Sequence, residues 1–180
     1  MADPTLAEYF ERIVPQQFAA ALAGAPEAAG QPELTAIYEI TGAGGGTYAL
    51  RAANGRVEPL TDGLTVADMH TTLTIEDWRA SIETGLADPL VDYVARCKVA
   101  VVKSLRGLVR LELERSDGSV VQSATTFGGQ PEPEVTLRMA ADDYTAMMRG
   151  ELNGQMAFLT GKLKFDGNMP LLMQVGALSA

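Results

Sequence analysis

The spacing of apolar residues changes period several times along the chain. Over residues 5–23, Leu6, Phe10, Ile13, Phe18 and Leu22 recur at roughly helical spacing behind the start signal Asp3-Pro4-Thr5, which predicts a helix. Pro15 lacks an N–H and crowds the preceding turn, so a break or kink is expected there. Residues 24–32, rich in Ala, Gly and Pro, read as a linker. Strand composition follows at 34–40, 47–52, 56–60 and 69–75, with Gly42 to Gly46 as a turn. Glu76-Asp77-Trp78 opens a short helix with Trp78 and Ile82 on one face and Gly85 at its end. Asp88-Pro89 starts another, to about Arg96, with Asp as N-cap and Pro at the first helical position.

The pattern then starts again. Val109, Leu111 and Leu113 alternate with Arg110, Glu112 and Glu114, which is a half-buried strand. Asp117-Gly118 is a strong hairpin signal, and residues 120–127 return. After a Gly/Pro loop at 128–134, Val135, Leu137 and Met139 alternate with Thr136 and Arg138. Asp142-Asp143 are expected to cap a helix carrying Tyr144, Met147 and Met148 and ended by Gly150. A short helix near 155–160 stops at Gly161, Leu163 and Phe165 alternate with charged residues, and Asp166-Gly167 turns into a last helix. Met169, Leu172, Met173 and Val175 are expected to face inward from it. Thr72 aligns with Thr136 (136 − 72 = 64), Trp78 with Tyr144 (144 − 78 = 66) and Gly85 with Gly150 (150 − 85 = 65). Such near-constant offsets suggest a duplicated unit, with an N-terminal helix and linker at 1–33, a first unit at 34–107 and a second at 108–180. Identity between the halves is low, and two unrelated α+β stretches sharing an order by chance is the competing reading.

Composition narrows what these elements can do. A length of 180 residues suits one medium domain or two small fused ones, and 47% hydrophobic content supplies a sizeable core. No apolar run approaches the roughly 20 residues of a membrane span. Residues 1–11 lack the basic start and apolar stretch of a secretion signal. The single cysteine, Cys97, excludes an internal disulfide and a thiolate metal site, and a cytoplasmic location is expected. Cys97 lies between Arg96 and Lys98, and packing as a small hydrophobe is its expected role. A net charge of −9 argues against nucleic acid as a partner, because phosphate backbones demand a basic face. The lone His70 sits in a strand pattern and reads as structural.

One stretch carries a family pattern. Ala157-Phe158-Leu159-Thr160-Gly161-Lys162-Leu163-Lys164-Phe165-Asp166-Gly167-Asn168-Met169 resembles the terminal signature of sterol-carrier-protein type two domains. Asp143-Tyr144 with Gly150 resembles that family's aspartate–aromatic helix and its closing glycine. Gly44-Gly45-Gly46-Thr47 and Glu76-Asp77-Trp78 look like its earlier half. The first unit departs where Arg96-Cys97-Lys98-Val99-Ala100 stands for Gly161-Lys162-Leu163-Lys164-Phe165. The resemblance implies an α+β fold, a mixed sheet covered on one face by short helices, here in a duplicated or extended version. It also implies a non-catalytic lipid-binding carrier for lipid transport, holding a fatty acyl chain, a sterol or a similar apolar small molecule in a hydrophobic cavity without a cofactor.

Six of the eight methionines, Met139, Met147, Met148, Met156, Met169 and Met173, fall within residues 139–180. Met repacks around ligands of varied shape, although core packing at helical spacing explains the same positions. With Tyr144, Phe158, Leu159, Leu163, Phe165 and Leu172, these are the expected ligand-binding residues, centred on the second unit. Sixteen buried CH₂ groups would gain about 13 kcal/mol gross, so no polar machinery is required for affinity. Residues 168–178 are expected to form a movable lid. Residues 93–111 carry Arg96, Lys98, Lys103, Arg106 and Arg110 and contain no acid. That stretch suits either transient contact with an anionic membrane surface or a solvated face above buried Val99 to Val102 and Leu105. Two alternatives remain: an enzyme that isomerises or cyclises an apolar substrate, with His70, Tyr144 or Asp143 as acid or base, and a structural module pairing with a partner enzyme. No Gly-x-Ser-x-Gly elbow occurs, and Gly42 to Gly46 lacks the Gly-Lys-Ser/Thr of a phosphate loop. The sequence carries no signal of oligomeric state.

Overall fold

The computed structural model describes residues 3–179. Thr5 caps α1 (Leu6–Glu8) through reciprocal bonds with Glu8, a capping box. A π-helical turn (Tyr9–Ile13) follows, and α2 (Val14–Gly24) carries the helix on. The expected break at Pro15 is replaced by this wide turn, in which the Val14 N–H reaches the Tyr9 carbonyl and Pro15 occupies the first turn of α2. Leu6, Tyr9, Phe10, Val14 and Phe18 form the buried stripe. The expected linker contains a 3₁₀ turn (Pro26–Gly30) that tucks Ala28 into the interior.

Eight strands build one sheet: β1 (Leu34–Thr41), β2 (Gly46–Ala53), β3 (Arg56–Leu60), β4 (Met69–Thr74), β5 (Gly107–Glu114), β6 (Val120–Phe127), β7 (Glu134–Ala140) and β8 (Lys164–Gly167). Their order is β3-β2-β1-β4-β6-β5-β7-β8. β1 pairs with β4 and β5 with β7 in parallel, and every other pair is antiparallel. Six more helices are α3 (Ile75–Ile82), α4 (Pro89–Ala95), α5 (Val99–Ser104), α6 (Ala141–Met148), α7 (Gly154–Leu159) and α8 (Met169–Ser179). Register places Tyr38, Leu50, Met69, Phe127, Leu113, Leu137 and Met139 on one face, all buried. The opposite face carries the ion pairs Arg51–Glu58, Arg110–Glu134 and Arg138–Glu112, each worth at most about 1 kcal/mol, and the contact between His70 and Glu39. This is the expected mixed sheet with helices on one side. No helix among the described residues is long and apolar enough to cross a membrane.

The sheet consists of two four-strand halves joined where β4 meets β6, at Met69 opposite Phe127. In each half a hairpin's first strand pairs in parallel with the strand that runs into a helix, β4 into α3 and β7 into α6. The starts of α3 and α6 lie 141 − 75 = 66 residues apart. Only the first half has a third hairpin-connected strand, β3, and only the second has a strand after its second short helix, β8. In place of β8 the first half has α5, whose Val99 and Val102, with Leu105, bury one face at three-residue spacing. Cys97 ends α4 with φ +57, as Gly161 ends α7 with φ +74. Cys97 is exposed, not packed inward as expected, because this left-handed position turns it away from the helix–sheet core.

Two helix details also differ from expectation. The N-cap of α6 is Ala140, with no side-chain cap, and Asp142 and Asp143 fall in its first turn. Asp143 accepts an ion pair from Lys162 at 2.7 Å instead. In α8, Leu171 and Leu178 are the fully buried residues, with Leu172 and Val175 partly buried, whereas Met169 and Met173 face outward. The Asn168 side chain accepts the Leu171 N–H at 2.8 Å, which sets this phase.

Candidate functional site

A cavity of about 520 Å³ lies between the sheet and its helical cover, within the range of small-molecule sites. Its floor straddles the join of the two halves: Tyr38, Thr71 and Leu73 come from the first, Leu111, Leu113, Val121 and Ser123 from the second. Trp78 and Ile82 on α3 form one wall, and Tyr144 and Met148 on α6 another. Exposed Glu83, Ser116, Asp142 and Arg149 also border it.

The polar centre of the site is Asp88, which is 3% exposed. Its Oδ1 accepts the Leu90 N–H at 3.0 Å, which is the N-cap bond the Asp-Pro pair predicts. Tyr38 donates its hydroxyl to Oδ1 at 2.5 Å, and Tyr9 donates to Oδ2 at 3.4 Å. The Asp88 N–H donates to Gln17 Oε1 at 3.1 Å. One carboxylate thus ties α4 to β1 and to the N-terminal helical segment. Burial raises its pKa to about 6, against the pull of the Tyr38, Leu90 and Tyr9 bonds. Burial and this neighbouring carboxylate together push Tyr9 and Tyr38 well above the usual phenol range, so both stay protonated donors. Tyr144 is pushed up to about 12, by burial first and then by Asp92.

A stability prediction follows from Asp88. Unfolded, it titrates near 3.8; folded, near 6, so between these values the native state holds the extra proton. Its contribution is complete below about pH 4 and is lost as pH rises through 6, a change of about 3 kcal/mol for roughly two pKa units. Urea unfolding of wild type and Asp88→Asn across pH 4 to 7 should show their difference in stability moving by about that amount, with wild type losing relative ground as pH rises. A pH-independent difference would discard the assignment.

The twelve residues expected from sequence fall in three places. Met139 and Leu163 are buried in the core, Tyr144, Met147, Phe165 and Leu172 are half-buried against it, and Met148 is half-buried at the cavity. Met156, Phe158, Leu159, Met169 and Met173 are exposed on α7, α8 and their ends, Leu159 by 68% and Met173 by 71%. Tyr144 and Met148 line the cavity; the other ten do not. No residue of α8 lines it either, because α8 packs on α5 and β7 and Arg96 donates to the Leu178 carbonyl at 2.7 Å. The alternative acid–base trio does not converge: His70 faces the open side of the sheet with Glu39 at 3.2 Å, Asp143 holds Lys162, and Tyr144 alone reaches the cavity. In the basic stretch, Arg96, Lys103 and Arg110 are paired with Asp92, Asp68 and Glu134, and Arg106 donates to backbone carbonyls. Tyr9, Tyr38, Thr71 and Asp88 were not legible as site residues; the only local signal was the Asp-Pro cap.

Residues 92–179 match the model of the SCP-2 sterol transfer family. The chain is 43% identical over 68 residues to peroxisomal multifunctional enzyme A of Dictyostelium discoideum, covering 38% of this chain and 14% of that protein. It is 35% identical over 86 residues to human hydroxysteroid dehydrogenase-like protein 2, covering 43% of this chain and 21% of that protein. The match therefore spans about a fifth or less of these relatives' length. Among solved structures, the sterol carrier protein domain 2 of Helicoverpa armigera aligns with a TM-score of 0.39 at 24% identity, over 50% of this chain and 80% of that one.

Proposed function

On the match of residues 92–179 to the model of the SCP-2 sterol transfer family, we propose that this chain is a non-catalytic carrier that shelters an apolar, lipid-like molecule in the cavity across the β4–β6 join. The observation that carries the reading is the cavity itself, about 520 Å³ with Leu73, Ile82, Leu111, Leu113, Val121 and Met148 on its walls. Apolar burial at about 0.8 kcal/mol per CH₂ supplies the affinity for a fatty acyl chain or a sterol. We read the division at 34–107 and 108–180 as two related units that share this one cavity. The exposed apolar side chains of α7 and α8 suit brief contact with a lipid surface during loading. Cytoplasmic placement is part of the same reading, since one exposed cysteine and no disulfide fit a reducing compartment.

The test is occupancy. Native mass spectrometry of freshly purified protein should show an added mass of a few hundred daltons that extracts into organic solvent. Val121→Trp, which fills the cavity floor, should cut retention of that mass at least tenfold while leaving the thermal transition close to wild type. Full retention by the filled variant would rule out this cavity. A second reading, a lipid-presenting module of a larger enzyme, is favoured by the length of the relatives, of which 14% and 21% are matched. A lipid-free chain in stoichiometric complex with an enzyme would favour that reading.

A further inference from the structure

A residue of the cavity wall carries a buried donor with nothing to donate to. Trp78 is 4% exposed and lines the cavity, and its Nε1–H is the buried side-chain polar group without a partner among the described residues. Buried donors are almost always satisfied, because an unmatched one forfeits its hydration. The indole stands edge-on to the Tyr9 ring at 5.5 Å, and the Tyr9 hydroxyl donates to Asp88. Trp78, Tyr9, Tyr38 and Asp88 therefore mark one end of the cavity.

The charges there are unfavourable to an anion. Four carboxylates line the cavity, Glu83, Asp88, Asp92 and Asp142, against two guanidiniums, Arg115 and Arg149. Arg115 is committed to Glu83 at 2.6 Å, and Arg149 lies at the exposed border. Asp92 is neutralised by Arg96, but among the described residues Asp88 has tyrosine hydroxyls, a backbone N–H and no cation as its partners. A ligand carboxylate at this end would meet an unneutralised buried carboxylate at low dielectric.

Resting on the carrier reading above, we propose that the cavity selects an uncharged lipid bearing one hydrogen-bond acceptor, an ester, ketone or hydroxyl oxygen that takes the Trp78 N–H, and discriminates against the free carboxylate of the same chain length. Trp78 is the only tryptophan, so a nitrogen-labelled full chain gives a single indole N–H resonance. Hexadecane, methyl hexadecanoate and hexadecanoate are titrated near neutral pH. The ester should move the indole resonance downfield and bind about tenfold tighter than the hydrocarbon, and the carboxylate should bind more weakly than the ester. Trp78→Phe should bring the ester's affinity down to the hydrocarbon's and leave the latter within about twofold. If that variant does not fold, the wild-type resonance shift and affinity order decide by themselves. An indole resonance moved equally by ester and hydrocarbon, or a carboxylate that binds tightest, overturns the inference while leaving the carrier intact. Binding of none of the three overturns the carrier reading and the inference with it.

Discussion

Phe10→Ala is expected to lower the unfolding free energy by about 3–5 kcal/mol. Phe10 is 1% exposed, and its ring stacks on Tyr48 at 4.6 Å, tilts against Tyr38 at 4.9 Å and meets Tyr9 edge-on at 5.0 Å. Such aromatic pairs add about 0.5–1.5 kcal/mol beyond the area they bury. Tyr38 and Tyr48 lie directly opposite each other on hydrogen-bonded strands, so the sheet cannot collapse into the space left behind. Phe10 also borders the cavity, which its removal would enlarge towards the core. For a chain of this size the loss corresponds to a fall in Tm of about 10 °C, read by calorimetry or urea unfolding. A loss below about 1 kcal/mol would mean that the N-terminal helical segment is not part of the cooperative core.

Gly107→Ala is expected to be at least as damaging, above about 4 kcal/mol, and to leave little folded protein. Gly107 opens β5 with φ +134, and a Cβ there would lie 2.4 Å from the Pro133 carbonyl oxygen and 2.8 Å from Leu171 Cδ2. That carbonyl cannot withdraw, because it accepts the Leu108 N–H at 2.8 Å where β5 begins to pair with β7. Leu171 is the buried anchor of α8. The substitution therefore strains the backbone, the parallel register and the last helix together. Gly118→Ala is the control: φ is +83 and nothing lies within 4 Å, so only the left-handed backbone cost of about 1–2 kcal/mol remains. Equal losses at the two positions would show that the contact with Pro133 and Leu171 does not matter.

Local signals located most elements. β3 runs from Arg56 to Leu60 as the composition predicts, and Asp88, Gly85 and Asp117-Gly118 each mark the boundary or turn their chemistry requires. The alternation of Leu111 and Leu113 with charged neighbours placed the right side chains on the helix-covered face. The candidate site was far less legible. Methionine content pointed to residues 139–173, yet five of the twelve expected side chains face outward, because α7 and α8 are anchored by Ala157, Leu171 and Leu178. The spacing of 171 and 178 was available in the sequence, but methionines occupy neighbouring helical positions, and apolar type alone does not distinguish the inward from the outward set.

What the sequence determined by itself is the inventory of short strands and helices and the alternation that turns one face of β5 inward. These follow from periodicities and caps that act over a few residues. The tertiary structure alone decided that β4 and β6 join the halves and that the cavity straddles this join. It also decided that Asp88 meets Tyr9 and Tyr38 across 79 and 50 residues of chain. Pairing of strand edges and convergence of polar groups depend on which surfaces remain uncovered once the helices have packed, and no local pattern in the chain records that.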